Sequence, residues 1–483
     1  MSEAAPSRAF LVPLIIACAL FMEHLDSTVI ATALPAIAQS FGEDPLRLNL
    51  AITAYLLSLG IFIPLSGWIA DRFGARSVFC TAIVIFTLGS IGCSFVNSLP
   101  ELVLARVVQG MGGAMMVPVG RLVVLRTVEK SQLVNAMAWL TVPALIGPVV
   151  GPPLGGFIAT YGSWRWIFLI NIPIGILGVI LAMIFIPNTK EERADRFDGI
   201  GFALVSIGLA ATMFGFENVG RGILPTSAVV ALLAGGIGFL ALYYRHTRAT
   251  AAPIIDISLI RVRTFGASVT GGFLFRMGIG ALPFLTPMML QLGFGLTPFA
   301  SGMITFAGAA GAIVMKFTAG PIIRYFGFRT VLLANTFICA AFMASYGFFT
   351  PMTPHLLIIA TLLIGGFFRS LQFTALNTIA YADIALPMMS RATTLSSVAQ
   401  QLSLSFGVGI GALLLHMTLS FSGRAELTAS DFSPAYFVIA LIGLAPLAFF
   451  LPLPTDAGHE VSGHRSASTT EKREDELRQP AAE

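Results

Sequence analysis

Gly67-Trp-Ile-Ala-Asp71-Arg72-Phe-Gly74-Ala-Arg76 is the stretch on which the reading of the whole chain turns. It packs an acid, two arginines and two glycines between two apolar segments of membrane length, so it reads as a hinge held by charges. The same frame returns in the second half as Gly320-Pro-Ile-Ile-Arg324-Tyr-Phe-Gly327-Phe-Arg329, with the acid kept in the first copy only. A duplicated bundle with a polar hinge predicts a membrane protein whose halves move.

Composition agrees. The chain has 483 residues, 56% hydrophobic and 11% charged, with a mean hydropathy of +0.86. A soluble domain carries more charge and less apolar surface than this. A helix needs roughly 20 apolar residues to cross a bilayer, and such stretches recur along the chain. The pattern predicts fourteen spans, the first six at Phe10 to Leu34, Leu48 to Ile69, Val78 to Val96, Leu102 to Leu125, Asn135 to Ala159 and Trp166 to Ile186. Two short ones follow at Ile200 to Phe216 and Ala228 to Tyr244; without them the count is twelve. The last six lie at Phe265 to Leu290, Ala300 to Ile323, Val331 to Phe349, Leu356 to Ala380, Thr393 to Leu419 and Ala435 to Leu451.

Charge placement tests this layout, because basic residues near span ends collect on the cytoplasmic side. With the N-terminus inside, Arg8, Arg72, Arg76, Arg126, Lys130, Lys190, Arg193, Arg196, Arg245, Arg248, Arg261, Arg263, Arg324, Arg329 and Arg391 all fall inside; only Arg47, Arg165, Arg221 and Arg424 fall outside. An even span number puts both termini in the cytoplasm. The expected organisation is an N-terminal six-helix bundle (1–186), a linker with two additional transmembrane helices (187–263), a C-terminal six-helix bundle (264–453) and a disordered cytoplasmic tail (454–483).

Aligned on the hinge, Pro35 and Gln39 match Pro287 and Gln291, Pro45 matches Pro298, and Gly151 and Gly155 match Gly407 and Gly411 after a small shift. Repeats of this kind commonly build transporters, with the substrate site at their interface near the midplane. Cys18, Cys80, Cys93 and Cys339 all lie in spans, as small packing residues rather than a disulfide framework or a metal site. The first apolar segment holds Glu23 and Asp26 and lacks a small-residue cleavage site, so it is read as a retained helix rather than a signal peptide. The net charge of +4 gives no reason to invoke nucleic acid.

Intramembrane charges are the candidate site. Glu23 and Asp26, three apart, share a helix face inside an apolar span, where carboxylates are costly and usually functional. Two carboxylates so close and so dry resist being charged together, and one of them can then carry a proton reversibly, as proton coupling requires. A structural ion pair with a neighbouring helix is the other reading. Arg276 occupies the repeat-equivalent position of Glu23, and Arg369 lies mid-span. Each needs a carboxylate or lumen water: Arg276 either neutralises Glu23 and Asp26 or binds an anionic substrate. His24, between the two acids, either joins their network or is structural, and His416 is read as structural. Gly147, Gly151 and Gly155 recur every four residues as a strip for close helix approach, with Pro148 and Pro152 adding bends; generic packing explains the glycines equally. Phe273, Phe275, Met288, Met289 and Phe373 are candidates to line an adaptable apolar cavity.

Gly67, Asp71, Arg72, Gly74 and Arg76 resemble the loop between helices 2 and 3 of the major facilitator superfamily. Arg106-Val-Val-Gln109-Gly110-Met-Gly112 is similar to that superfamily's second motif. Gly147-Pro148-Val-Val-Gly151-Pro152-Pro-Leu-Gly155-Gly156 is similar to the motif of its antiporters. Leu25-Asp26-Ser-Thr28-Val29, running on to Ala33-Leu34-Pro35, together with Trp164-Arg165-Trp166-Ile-Phe-Leu-Ile-Asn171-Ile-Pro173, resembles the fourteen-span drug:proton antiporter family. The chain departs from that family at Ala31, where Asn is common, and in the acid-His-x-acid string Glu23-His24-Leu25-Asp26.

The resemblance implies an all-α integral membrane protein of the major facilitator superfamily fold, two six-helix repeats plus two extra central helices, in a bacterial cytoplasmic (inner) membrane. It implies a monomer that exports hydrophobic or amphipathic compounds in exchange for protons, with no cofactor beyond the proton as coupling ion; its partners are the small-molecule substrate, protons and the lipid bilayer. Arg106 would modulate the proton affinity of the acids, a carbonyl-bound packing role being the alternative. Asp26, assisted by Glu23, would be the main coupling carboxylate. Asp71 would sit against the start of the helix near Ser390 to Thr393 as an N-terminal cap. The alternative function is a proton-linked carrier of a specific metabolite, an anionic one included. No phosphate-cradling Gly-rich loop ending in Lys-Ser or Lys-Thr is present to support ATP drive, and the absence of His-Glu-x-x-His and nucleophile-elbow signatures disfavours an intramembrane enzyme.

Overall fold

The computed structural model describes residues 8–43, 45–189, 196–219, 224–422 and 427–464. Lys190, Arg193, Arg221, Arg424 and the segment from 465 onward lie outside the described residues. Within them the architecture is helical throughout. The first half runs α1 (Arg8–Phe41), α2 (Pro45–Phe62), α3 (Ser66–Phe73), α4 (Ala75–Phe95), α5 (Leu99–Thr127), α6 (Leu133–Tyr161), α7 (Trp166–Leu169) and α8 (Asn171–Phe185). Next come α9 (Gly199–Glu217) and α10 (Thr226–Ala249). The second half runs α11 (Arg263–Gly266), α12 (Gly272–Gly280), α13 (Leu282–Met288), α14 (Pro298–Tyr346), α15 (His355–Ile379), α16 (Met389–Ser422), α17 (Ala429–Leu444) and α18 (Leu447–Phe450), and is followed by a short α19 (His459–Ser462).

Twelve helical stretches among the described residues are long and apolar enough to cross a membrane by length and composition. The two short segments that the sequence left weakest, now α9 and α10, are among them. Three expected boundaries move. The segments expected at Ala300 to Ile323 and Val331 to Phe349 form one hydrogen-bonded run of 49 residues, α14, which turns at Gly327 (φ 73°). The helix before the first hinge also continues through Asp71 and Arg72 to Phe73, so the hinge is a single residue, Gly74, at φ 92° and ψ 136°. Only a residue without Cβ takes such angles cheaply. α17 starts at Ala429, ahead of the expected Ala435, because Thr428 and Asp431 cap each other's backbone N–H groups in a capping box.

The two halves repeat their contacts as well as their sequence. At the first hinge Arg76 donates to the carbonyls of Met183 and Ile186, at the end of α8. At the second, Arg329 donates to the carbonyl of Leu451, just past α18. Gly67 lies against Ser390 and Thr394 at the start of α16, where a Cβ would come within 2.6 Å of the Thr394 hydroxyl, and Gly320 lies against Asn135 at the start of α6. Each hinge helix therefore crosses onto the opposite half. Trp139 of α6 meets Phe317 of α14 edge to face at 5.6 Å, so the halves are closed against one another on the hinge side.

α9 and α10 pack as a pair, and α9 touches both halves. Ser206 donates to the Ile61 carbonyl and Thr53 to Glu217, tying α9 to α2. On its other flank Phe216 packs against Phe406 of α16, with ring centroids 4.0 Å apart and planes tilted by 34°. α10 leaves Val230, Ile237 and Leu242 exposed, an apolar outer face suited to lipid.

Candidate functional site

The interior of the first half is built around Asp26. Its Oδ2 takes a hydrogen bond from Arg106 Nη1 at 2.5 Å, and both side chains are out of contact with solvent. Its Oδ1 accepts from Gln109 Nε2 at 2.8 Å and from Asn171 Nδ2 at 2.9 Å. Arg106 Nη1 donates to Gln109 Oε1 at 2.6 Å, and Gln109 and Asn171 both donate to the Ser90 hydroxyl. Arg106 lies 4.3 Å over the Tyr55 ring, and its Nε reaches the Ala51 carbonyl at 3.4 Å. Five helices, α1, α2, α4, α5 and α8, thus converge on one carboxylate and one guanidinium.

Close helix approach makes that convergence possible. A Cβ on Gly89 of α4 would fall 2.7 Å from the Gln109 backbone, and one on Gly112 of α5 would fall 2.5 Å from the Phe86 amide nitrogen. α1 is held from the other side by α6: Gly147 abuts the His24 backbone, Gly151 abuts Thr28, and the Thr28 hydroxyl donates to the Gly147 carbonyl. Gly155 is buried in the same helix, Gly156 has open space where a Cβ would go, and Pro148 and Pro152 lie within that helix. The glycines of this motif therefore set the position of the acid-bearing helix.

Glu23 is the contrasting acid. It lies on the Asp26 side of α1, close enough to Asp26 and Tyr55 to bear on both electrostatically. It is 6% exposed. Its Oε2 and the Tyr55 hydroxyl are buried with no hydrogen-bond partner among the described residues. One carboxylate is locked by three donors and its neighbour is left with unused capacity.

Other sequence expectations are redistributed. Arg276 does not pair with Glu23 or Asp26; it donates to Asn377 Oδ1 at 2.9 Å and lies over Phe373, because Arg106, on the same half, is nearer to Asp26 and already fills its Oδ2. Arg369 lies in the second half beside Tyr346 and Cys339, in a small pocket lined otherwise by apolar groups. The Cβ of His24 packs against Gly147 of α6. Gln109, Asn171, Ser90 and Tyr55 had no role assigned from sequence, although Gln109 and Asn171 stand in the motifs that carry the resemblance. A neutral amide becomes a candidate only once a buried charge needing donors is known to face it. Arg121 and Lys316 were missed as well; both are buried, and Lys316 donates to Thr374 at 2.8 Å.

At the hinge, Asp71 meets α16 where expected, with a different partner. It accepts from the Ser390 side-chain hydroxyl, and its other oxygen pairs with Arg126 at 3.0 Å. Ser66 and Thr394 join their hydroxyls across the same junction at 3.1 Å. Arg76 binds carbonyls of its own half, while Arg72 is exposed. The second hinge has no counterpart acid: the Arg324 carbonyl faces the His464 ring at 3.0 Å instead.

Two repeated helical halves closed at one face around buried intramembrane charges define a secondary transporter by architecture. The chain belongs to the Major Facilitator Superfamily, whose family profile matches residues 16–408. It is 40% identical over 452 residues to "Putative multidrug resistance protein MdtD" of Klebsiella pneumoniae, covering 92% of this chain and 94% of that one. A protein of the same name from Escherichia coli is 39% identical over 452 residues, covering 93% and 95%. Among solved structures, the human organic anion transporter MFSD10 (TETRAN) superposes with a TM-score of 0.68 at 15% identity, covering 92% of this chain and 100% of that one. The proton:xylose symporter XylE superposes at 0.65 and 15%, covering 95% and 98%. These structures share the fold. Family and fold are those of a transporter rather than an enzyme.

Two outcomes follow for purified protein. Removing one partner of a buried ion pair strands the other, at a cost of about 3–5 kcal/mol. Asp26→Asn and Arg106→Gln should each lower the thermal midpoint in detergent sharply, and the double variant should lose much less than their sum; additive losses would show that the two charges are not coupled. Asp71→Asn should broaden the distances between spin labels on the hinge-side ends of α3 and α16, and Arg324→Ala should leave them nearly unchanged. Equal broadening in both variants, or none in Asp71→Asn, would remove the asymmetric latch.

Proposed function

We propose that this protein is a proton-coupled antiporter that exports hydrophobic or amphipathic compounds by alternating access, with Glu23 as the carboxylate that takes and releases the proton. The observation that carries this reading is the pairing of a saturated acid with an unsaturated one on a single helix face. Protonating Asp26 at Oδ2 would remove the charge that offsets Arg106 and set an O–H against its guanidinium in a dry interior, while Oδ1 went on accepting from the two amides. Protonating Glu23 breaks no hydrogen bond made by its Oε2. The sequence ranks Asp26 first; the bonding favours Glu23 as carrier and Asp26 with Arg106 as the fixed charge that sets its environment.

The names of the curated relatives, multidrug resistance proteins, support a polyspecific substrate range. In this reading the chain spans a bacterial inner membrane fourteen times as a monomer, with both termini and both hinges cytoplasmic and with no cofactor beyond the coupling proton. Two features support the count of fourteen: α14 is long enough to be two spans turned at Gly327, and α6 adds a 29-residue apolar helix. The hinge-side closure then corresponds to a cytoplasm-closed conformation.

In proteoliposomes with an imposed pH gradient, wild type should accumulate a transported dye against its concentration gradient. Glu23→Gln should lose that uphill accumulation while still exchanging labelled for unlabelled dye at equal concentration. Uphill transport at the wild-type rate in Glu23→Gln would remove Glu23 from coupling, and loss of exchange as well would assign it a structural role.

A further inference from the structure

We propose that Arg121 and Arg276 together form a binding site for the anionic group of an amphipathic substrate, such as a carboxylate, sulfonate or phosphate; this rests on the exporter reading above and narrows its substrate class. The two guanidiniums come from opposite halves and meet on one strip of neutral acceptors at their interface. Arg121 of α5 donates to the Tyr381 hydroxyl at 3.2 Å, to Ser396 at 3.4 Å and to Gln400 Oε1 at 3.2 Å. Arg276 of α12 donates to Asn377, and Gln400 Nε2 donates to the same Asn377 oxygen at 3.1 Å, closing the chain between the two cations.

Both arginines are almost fully buried, at 5% and 3% exposure. Arg276 Nε is buried with no hydrogen-bond partner among the described residues. Neither forms an ion pair among the described residues, whereas Arg106 in the same chain is neutralised by Asp26. Arginine keeps its charge in a protein interior, so this junction holds two buried positive charges that repel one another, with no ion-pairing acid among the described residues to offset them. Buried positive charge in low-dielectric surroundings attracts anions, and the planar guanidinium fork fits carboxylate and phosphate oxygens two at a time. The Arg121 contacts are long for hydrogen bonds and join the halves, so they are the ones exchanged for substrate oxygens as the hinge side opens. Beside Arg276, Phe373 lies under its guanidinium, with Phe273 and Phe406 packed nearby on the same half. These partly buried rings give the apolar body of such a substrate a surface next to its charged end.

The test uses one fluorescent naphthyl-alkyl probe in three forms, carboxylate, methyl ester and trimethylammonium, with full-length protein in uncharged detergent. The carboxylate should bind tightest, and Arg276→Gln and Arg121→Gln should each weaken it about tenfold or more. Arg276→Lys should recover part of the loss. As a readout independent of overall weakening, Arg276→Glu should shift preference toward the ammonium probe. Equal binding of all three forms, or unchanged carboxylate affinity in both Gln variants, overturns the site. Phosphatidylglycerol is tested alongside: if it binds through the two arginines and the soluble carboxylate does not, the anion is a lipid headgroup and the substrate assignment falls. Gradient-driven transport of the same probes separates this claim from the exporter reading. Transport of the ammonium form with no arginine dependence sinks the anion site alone; arginine-dependent carboxylate binding with no gradient-driven transport of any form sinks the exporter alone.

Discussion

An arginine that cannot shed its charge, placed where there is no water, must be given an anion, and Arg106 is given Asp26. Much of the first half follows from that requirement. Asp26 takes further bonds from Gln109 and Asn171, so α1, α5 and α8 are tied at one depth, and Ser90 anchors both amides to α4. The glycines at 89 and 112 bring α4 and α5 close enough for those short side chains to reach. With the pair saturated, Glu23 is left as an acid with spare capacity in the same dry space. Chemistry that needs a reversible proton is available there because the neighbouring charge is fixed.

Duplication supplies the frame, and departure from duplication supplies the direction. Both hinges turn on a glycine at positive φ, both send an arginine to carbonyls at the end of the last membrane-length stretch of their own half, and both press a glycine against the start of a helix in the other half. Only the first copy adds an acid that binds Ser390 and Arg126. The buried charges are unequal as well. The first half holds its arginine in an ion pair, whereas Arg276 of the second faces a neutral amide and shares its surroundings with Arg121. A bundle with identical halves would have no reason to treat protons and substrate differently; on the proposed reading, this one separates a proton-handling half from a cationic junction.

The hinge, the repeat and the strip at Gly147 and Gly151 could be read in the sequence because each depends on a residue type whose backbone or charge property is needed at a fixed spacing. The seat of Asp71 at Ser390 came from the family resemblance, and its bond to a hydroxyl followed only from side-chain geometry. Of the two readings open for Arg276, pairing with Glu23 and Asp26 fails for a physical reason. Pseudo-symmetry places it opposite Glu23 in the repeat, but a long side chain bonds to what lies within its reach, which is Asn377. Arg121 was treated only as part of an apolar span, since one basic residue six positions from the end of a helix looks like an interfacial anchor. Its role depends on Tyr381, Ser396 and Gln400, which no local pattern connects to it.

In the proposed cycle Glu23 carries the proton while Asp26 stays charged beside Arg106. Infrared difference spectroscopy on purified protein, comparing substrate-free and substrate-bound states, reads the carbonyl stretch of a protonated carboxylic acid directly. The account predicts a substrate-dependent acid band in wild type that disappears in Glu23→Gln and survives in Asp26→Asn. A band that survives in Glu23→Gln and disappears in Asp26→Asn would contradict it.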